Sequence, residues 1–317
     1  MQEPLDPPNH PGKIWQQLPL HPQPASLESV TSYITRLTQA NGLQSIAELA
    51  TLAGLNHNWQ SLRSFPDGSI TNALGLTTLT GCTRTDLDAM TFLPLGRHFG
   101  RANSTLTLRR FLEGSLASYL RYCPLCLAEH DFLYYRLPWR FPILSGCLTH
   151  RCQFLDRCGH CNALLPHLPS SPQMATCLAC HKDLRTCQPL YLSDDELRQI
   201  TKRTTDLIFL LRSSMQPSED NPRAAIGKRY AFLRQRKGLS LQEVASLMEK
   251  DPKTLLEIEY AEIQKKATFL DYLQYADLLG YSLNEIFSVT NPSPPLNENV
   301  LLAQVDEALQ NRPEVGK

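Results

Sequence analysis

The sequence lacks a net charge and lacks long apolar runs. Its 31 Lys and Arg side chains balance 31 Asp and Glu side chains, so the chain as a whole is not expected to attract nucleic acid. No run approaches the roughly eighteen apolar residues of a membrane span, so a membrane protein is not expected. P-loop, Rossmann and G-x-S-x-G motifs are also missing, which leaves ATPase, dehydrogenase and serine-hydrolase functions without support.

The beginning of the sequence lacks the basic start and apolar core of a secretory signal. Residues 1–25 are instead rich in proline and polar side chains and are expected to be extended. A chain that is not secreted stays in a reducing compartment, where disulfides are rare. The ten cysteines are therefore expected to bind metal or to remain thiols.

Four pairs of Cys or His residues, each pair separated by two residues, lie in the middle of the chain. Such a gap lets one tight turn present two ligands, and structural zinc takes four ligands in a tetrahedron. The stretch between the first and second pairs is 20 residues long, and the stretch between the third and fourth pairs is 15 residues long. Each length suits one closed site made of two pairs. The sequence predicts two structural zinc ions, one bound by Cys123, Cys126, Cys147 and His150 and the other by Cys158, Cys161, Cys177 and Cys180.

Disulfides and catalytic zinc are the other interpretations of these pairs. Catalytic zinc usually keeps three protein ligands and one open position, whereas each set here offers four. A zinc enzyme would also need an acid beside the open position; Glu129 is near in sequence, but surface solvation is the simpler account. Cys82, Cys152 and Cys187 are expected to be ordinary thiols, although Cys152 lies close enough to His150 in sequence to be a substitute ligand.

Helical periodicity flanks the cysteine pairs on both sides. A helix capped by Ser26 or a neighbour places Leu27 and Val30 on one face, and helical character continues from Leu106 to Tyr119. The expected fold is mainly α with small zinc-ribbon β elements. The predicted division is an extended segment (1–25), a helix-turn-helix domain (26–120), two tandem zinc-finger modules (121–190), a helix (191–213), a linker (214–222), a C-terminal helix-turn-helix domain (223–290) and a tail (291–317).

The C-terminal region carries the second strong set of signals. Gly238 ends a first helix, Ser240 with Glu243 forms a capping box for a second, and Asp251-Pro252 opens a third. The residues that follow a family pattern are Leu233-Arg234, Gly238-Leu239-Ser240, Val244-Ala245, Leu255, Ile258 and Glu259. By these residues the region resembles the lambda-repressor-like (XRE) helix-turn-helix family.

The XRE resemblance implies a role in DNA binding for several residues. In that family the third helix enters the major groove, which puts Lys253 and Thr254 against bases, with Leu256 and Glu257 next along. The residues implied to contact phosphate are Gln242 and the first-helix cations Lys228, Arg229 and Arg234.

Two features depart from the XRE pattern. Glu249 stands at the turn position that usually holds glycine, and Glu257 and Glu262 add acids to the recognition helix, where phosphate would repel them. A protein-docking surface is therefore an open alternative to DNA recognition in this region.

The layout as a whole resembles the TniQ family, the target-selection proteins of Tn7-like transposons. The family's first helix motif is matched by residues 28–37, and a helix-turn-helix is expected from Leu76 to Thr91. The motif Y-C-P-x-C-L, then W, C-x-x-H, C-G-x-C and C-x-x-C, is matched between Tyr122 and Cys180 and includes Trp139. The resemblance covers about residues 10–190.

The TniQ resemblance implies an adaptor and not an enzyme. Such a protein would link target DNA, an attachment site or an RNA-guided effector (Cascade) to the AAA+ regulator TnsC, and a homodimer stays open. Its expected location is the prokaryotic cytoplasm, at the nucleoid when target DNA is bound. The alternative is an XRE-type transcription regulator with structural zinc, which would bind a palindrome as a dimer and leave the zinc region without a task.

Overall fold

The computed structural model describes residues 17–54, 59–69, 74–129, 132–212, 221–261 and 267–287. These residues are mostly helical and contain one small two-stranded sheet, which confirms the expected balance of α and β structure. The helices are α1 (Val30–Ala40), α2 (Ile46–Leu52), α3 (Trp59–Ser64), α4 (Leu74–Thr80), α5 (Arg84–Ala89), α6 (Leu93–His98), α7 (Thr105–Phe111), α8 (Pro124–Glu129), α9 (Asp194–Arg212), α10 (Pro222–Arg236), α11 (Leu241–Leu247), α12 (Pro252–Tyr260), α13 (Phe269–Leu279) and α14 (Leu283–Phe287). The strands are β1 (Gly146–Cys147) and β2 (Cys152–Gln153), which pair antiparallel.

The ends of the chain and one connection fall outside these residues. The predicted extended segment is described only from residue 17 onward, and the predicted linker only at residues 221–222. The predicted tail, 291–317, lies wholly outside the described residues. Within the described part, no helix combines the length and the apolar character that crossing a membrane requires.

The first helix begins at Val30, later than a cap at Ser26 would place it. Ser29 is the N-cap and accepts a hydrogen bond of 3.2 Å from the Ser32 N–H. Leu27 precedes the helix with a φ of 56° and is buried. The chain therefore turns sharply before α1, and Leu27 enters the core from that turn and not from the helix face.

Polar residues of the first helix motif form hydrogen bonds to Glu28. Its carboxylate is fully buried and accepts hydrogen bonds from the Ala25 N–H at 2.9 Å and the Ser32 hydroxyl at 3.0 Å. Arg36, one turn further along, donates to it at 2.7 Å. Since burying an unpaired carboxylate is costly, these partners hold the start of α1 in one geometry.

The predicted helix from Leu106 to Tyr119 is wrong beyond Phe111, where α7 ends. Gly114, three residues later, has a left-handed φ of 74°. Glycine adopts that conformation at no steric cost, and a right-handed helix cannot continue through it.

Buried polar contacts join α1 to the central region. The Thr31 N–H donates to Asp67 Oδ1 at 2.8 Å, and Asp67 pairs with Arg140; both members of this ion pair are buried. The Tyr135 N–H donates to Ser32 Oγ at 2.8 Å. The first helix and the segment around Arg140 therefore pack together.

Aromatic side chains pack the C-terminal helices against the N-terminal helices. Phe99, directly after α6, lies with its ring centroid 4.8 Å from that of Tyr272 and 5.3 Å from that of Phe287. Phe111, at the end of α7, lies 5.9 Å from Phe269. Phe287 packs against, and the other four rings belong to, one hydrophobic core that contains side chains from α6 and α7 as well as α13 and α14.

The long helix α9 lies in the chain between the segment with the ligand pairs and the C-terminal helices α10 to α14. Ser193 and Glu196 form the predicted capping box: Glu196 accepts from the Ser193 N–H at 2.7 Å and donates its own N–H to Ser193 Oγ at 3.3 Å. Near its other end, buried Asp206 accepts a hydrogen bond of 2.9 Å from the Asn284 N–H. Burial raises the pKa of Asp206 to about 6.

The C-terminal helices begin and end close to the predicted positions. Ser240 and Glu243 form the predicted capping box, Asp251 caps α12, and Gly238 ends α10 with a φ of 69°. Gly227 allows α10 to cross α12 closely, because a Cβ there would lie 2.4 Å from the Glu259 carbonyl oxygen. The arrangement is compatible with a helix-turn-helix, and membership of the XRE family remains a prediction.

Candidate metal centres and nucleic-acid interface

The first predicted ligand set converges on one point. His150 Nδ1 lies 3.5 Å from Cys123 Sγ, 3.2 Å from Cys126 Sγ and 3.6 Å from Cys147 Sγ. The Sγ atoms of Cys126 and Cys147 are 3.6 Å apart, and all four ligand atoms lie within 4.8 Å of one another. The three cysteines are buried.

The second predicted set converges in the same way, nearer the surface. Cys158 Sγ lies 3.7 Å from Cys180 Sγ, and Cys161 Sγ lies 3.6 Å from Cys177 Sγ. All four sulfur atoms are within 4.8 Å of one another. Cys158 and Cys177 are buried and Cys161 is exposed.

These spacings fit zinc. Zinc bonds of about 2.3 Å to sulfur and about 2.0 Å to nitrogen place the corners of a tetrahedron roughly 3.5 to 3.8 Å apart. All ten cysteines are free thiols, so none of the pairs is a disulfide. Four protein ligands per set leave no open position for substrate, which is the arrangement of structural zinc sites.

Three of the four ligand pairs share one backbone geometry. The residue after the second ligand has a positive φ each time: 51° at Arg151, 63° at Asn162 and 58° at His181. The Asn162 N–H donates to the Cys158 carbonyl and the His181 N–H donates to the Cys177 carbonyl, both at 2.8 Å. This turn points both side chains of a pair to the same side, as two ligands of one ion require.

The remaining pair lies on a helix start. Cys123 directly precedes α8, and the Cys126 N–H donates to Cys123 Sγ at 3.4 Å. Such N–H groups disperse the negative charge of thiolate ligands. The small sheet positions the other two ligands of the first site. Cys147 lies on β1, opposite Cys152 on β2, and His150 lies in the turn between the two strands.

Glu129 lies beside the first site. Its Oε1 is 2.7 Å from Nε2 of His150, while Nδ1 of the same ring points at the three sulfur atoms. A carboxylate at the far nitrogen of a ligating histidine orients the ring and raises its basicity. In this position Glu129 contacts a metal ligand and not an open metal coordination position.

The three unpaired cysteines have separate surroundings. Cys152 is fully buried, with its Sγ 3.5 Å from Cys123 Sγ, but it is outside the group whose ligand atoms all converge. Cys187 Sγ accepts a hydrogen bond of 3.3 Å from the Tyr122 hydroxyl. Cys82 Sγ lies 3.3 Å from the Tyr33 hydroxyl. The predicted four-ligand sets therefore stand without Cys152.

Arg234 is not available for the predicted phosphate contact. It is 7% exposed, and its guanidinium donates two hydrogen bonds to Glu259, at 2.7 and 2.8 Å. The hydrogen bonds to Glu259 raise the pKa of Arg234. The sequence does not show which arginines of α10 are buried and which are exposed, so the burial of Arg234 could not be predicted from it.

Glu257, which the XRE resemblance places next along the recognition helix after Lys253 and Thr254, does not face outward. Its side chain is fully buried, accepts from Arg101 at 2.7 Å and from Arg223 at 3.1 Å, and receives the Ala267 N–H at 3.1 Å. Glu257, on the predicted recognition helix, is thus neutralised by arginines of the same chain. The 156 residues that separate Arg101 from Glu257 in the sequence gave no signal of this pairing.

The other predicted DNA contacts lie at the surface. Gln242 near the start of α11 and Lys253 near the start of α12 are exposed, and Thr254 is half-buried. Lys228 is exposed and Arg229 half-buried on α10. The turn before α12 has the expected geometry: Glu249, at the usual glycine position, takes a left-handed φ of 54°.

Comparison with known proteins bears on the N-terminal half. Among curated proteins nothing matches the chain. Residues 19–154 match the TniQ family model, a stretch that contains α1 to α8 and the whole first ligand set. The second ligand set and the C-terminal helices lie beyond the match. The chain thus carries a TniQ domain over residues 19–154, which implies a role associated with Tn7-like transposition.

Proposed function

We propose that the protein is a target-selection adaptor for Tn7-like transposition and performs no reaction itself. It links target DNA, or an RNA-guided effector bound there, to the AAA+ regulator of the transposon. The TniQ match over residues 19–154 is the observation that carries this proposal. Two four-ligand sets without an open position support a scaffolding role for the metal ions.

An adaptor has to hold two binding surfaces at a fixed separation. Buried contacts of the kind this role needs run through the described chain: Asp67 with Arg140 near the first ligand set, and Arg101 with Glu257 between the two helical regions. These residues are far apart in sequence, so their pairing limits relative motion of the parts they join. That rigidity supports the proposal of a positional mechanism.

Direct contact of the C-terminal helices with duplex DNA is part of the proposal. Exposed Gln242 and Lys253, at the starts of α11 and α12, are suited to phosphate and base contacts in a helix-turn-helix arrangement. The runner-up for the whole chain is a transcription regulator that uses this surface and keeps its zinc for structure. That alternative assigns no task to the TniQ domain.

Recruitment of the regulator tests the adaptor role. The purified chain, an AAA+ regulator of a Tn7-like transposon, and labelled DNA carrying that transposon's insertion site are combined with ATP. An adaptor should increase the amount of regulator on this DNA and should co-purify with the regulator. A parallel reaction adds the effector complex with its guide, which separates RNA-guided targeting from direct DNA recognition.

Two results would contradict the adaptor. Regulator loading that is the same with and without the chain removes its proposed task. Tight binding of the chain to a palindrome, with half-sites about one helical turn apart and no contact to the regulator, would favour the transcription regulator instead. Lys253→Gln serves as the matched variant, because it alters the surface of α12 without touching a buried contact.

A further inference from the structure

The outer face of α10 combines cations with an exposed aromatic ring. Lys228, Phe232 and Arg236 follow one another at four-residue spacing, so they lie along one face of this helix. Phe232 is 50% exposed, and Lys228 and Arg236 are exposed on either side of it. Arg229 and Gln235 flank the same face.

This face points away from the predicted recognition helix. Gly227 and Arg234 lie on the side of α10 that touches α12: a Cβ on Gly227 would meet the Glu259 carbonyl oxygen, and Arg234 binds the Glu259 carboxylate. At 100° per residue, Phe232 lies roughly opposite these two positions on the helix. The cations on the outer face of α10 and Lys253, the single cation of α12, therefore lie on two separate surfaces and do not form one continuous DNA footprint.

The charges of Lys228 and Arg236, at the two ends of the outer face, are not neutralised by an acidic side chain of the described residues. Residues 223–237 contain six basic side chains and no acid. Lys228 and Arg236 have no ion-pair partner among the described residues, whereas Arg223 and Arg234 are used in buried pairs. An exposed phenylalanine of this size between two such cations is not needed for the core, which lies on the opposite side of α10.

We propose that the outer face of α10, formed by Lys228, Arg229, Phe232, Gln235 and Arg236, binds single-stranded nucleic acid. The cations contact successive phosphates, and Phe232 stacks on an unpaired base between them. Lys228 to Arg236 spans about 12 Å of helix, enough for two or three nucleotides. Duplex DNA fits less well, because its bases are already stacked and Phe232 would have no base to contact.

The proposal is independent of the adaptor role, since it concerns binding by the chain alone. The test uses fluorescence anisotropy of the full chain with a labelled oligothymidylate and with a duplex of equal length, over a range of salt concentrations. We expect Phe232→Ala to weaken binding of the single strand about tenfold, and the duplex by little. The double variant Lys228→Gln, Arg236→Gln should reduce the salt slope for the single strand by about 1.4.

Matched variants control for net charge and for lost apolar surface. Arg109→Gln with Arg110→Gln removes two exposed cations from α7, and Leu106→Ala removes an exposed apolar side chain from the same helix. Both should leave binding of the single strand unchanged. Lys253→Gln should weaken only the duplex, which distinguishes this face from the predicted recognition surface.

Three results would overturn the proposal. The first is no measurable binding of the single strand at low salt. The second is equal loss from the α7 and α10 charge variants, which would mean attraction by net charge alone. The third is full competition by polyglutamate together with no effect of Phe232→Ala, which would indicate an acidic protein partner. The adaptor proposal survives each of these results, since none involves the regulator.

Discussion

Arg101 donates a hydrogen bond of 2.7 Å to Glu257 and so joins the loop after α6 to the middle of α12. Glu257 is fully buried, Arg101 is only 13% exposed, and Arg223 donates to the same oxygen at 3.1 Å. Arg101 belongs to the TniQ domain, whereas Glu257 belongs to the predicted DNA-recognition helix. The helix is thereby held against the domain by a paired and buried charge.

Glu257→Gln should loosen this attachment. The buried carboxylate is lost from between two guanidinium groups that are 13% and 18% exposed, and breaking a buried ion pair from one side costs about 3 to 5 kcal/mol. We expect a lower midpoint of chemical denaturation and faster hydrogen exchange in α12, measured by mass spectrometry. Glu249→Gln, an exposed acid near α12, is the control and should change neither quantity. Unaltered exchange in α12 after Glu257→Gln would show that the aromatic core alone holds the helices together.

Cys126→Ser should remove one zinc equivalent and unfold the region around the first ligand set. A structural zinc site contributes its binding free energy directly to folding, so the loss is structural and not chemical. Metal content by elemental analysis and limited proteolysis measure the two effects. Fewer than two zinc equivalents in well-folded wild-type protein would contradict the assignment itself.

Glu129→Gln should weaken zinc binding without abolishing it. Removing a carboxylate that orients a histidine ligand typically costs about 10- to 100-fold in metal affinity. Competition with a chromogenic chelator at neutral pH measures this change. Glu113→Gln, an exposed acid away from both ligand sets, is the control. If both variants hold zinc as tightly as the wild type, the contact between Glu129 and His150 has no role in binding.

Two buried groups at the interface of α6, α9 and α14, His98 and Asp206, should change the stability of the fold with pH in opposite directions. His98 lies between Phe209 and Phe287, with ring centroids 5.4 and 5.1 Å away, and burial lowers its pKa to about 4. Between pH 6.5 and 4 the unfolded histidine binds more protons than the folded one, so stability falls as pH falls. Asp206, with a pKa raised to about 6, binds more protons when folded, so its contribution to stability rises as pH falls from about 6 to 4.

Single substitutions separate these two contributions, each on the order of 3 kcal/mol across its full window. Asp206→Asn leaves the histidine effect, so the free energy of unfolding should fall more steeply between pH 6.5 and 5 than in the wild type. His98→Phe leaves the aspartate effect and should give stability that rises as the pH decreases from 7 to 5. Denaturant titrations at several pH values measure both, and parallel curves for all three proteins would contradict the assignment.

Arg234 and Lys253 should affect different properties. Arg234→Met removes the partner of buried Glu259, so it should lower stability by about 3 kcal/mol or more. Lys253→Gln should leave stability unchanged and reduce duplex binding together with its salt dependence. Thermal unfolding and anisotropy on duplex DNA are compared for both. A stable Arg234→Met protein with weakened DNA binding would restore the phosphate contact implied by the XRE resemblance.

Local chemistry made much of the fold predictable. Ser240 with Glu243 and Ser193 with Glu196 are capping boxes in sequence and in structure, because their hydrogen bonds join residues three positions apart. The spacing of Cys123 with Cys126 likewise predicted ligands of one ion, since a short turn cannot separate them. The helical character expected as far as Tyr119 stops at Phe111, because apolar periodicity does not show that Gly114 takes a left-handed φ of 74°, through which a right-handed helix cannot continue.

The amino-acid sequence was sufficient for everything that depends on neighbours along the chain: the ligand pairs, the helix caps and most helix ends. The partners of buried charges were decided in three dimensions. Glu257 and Arg234 could have faced DNA by their positions on helices, yet one pairs with Arg101 and the other with Glu259. A helical repeat shows which residues share a face, but only the docking of one helix against another determines whether that face meets water or a second charge.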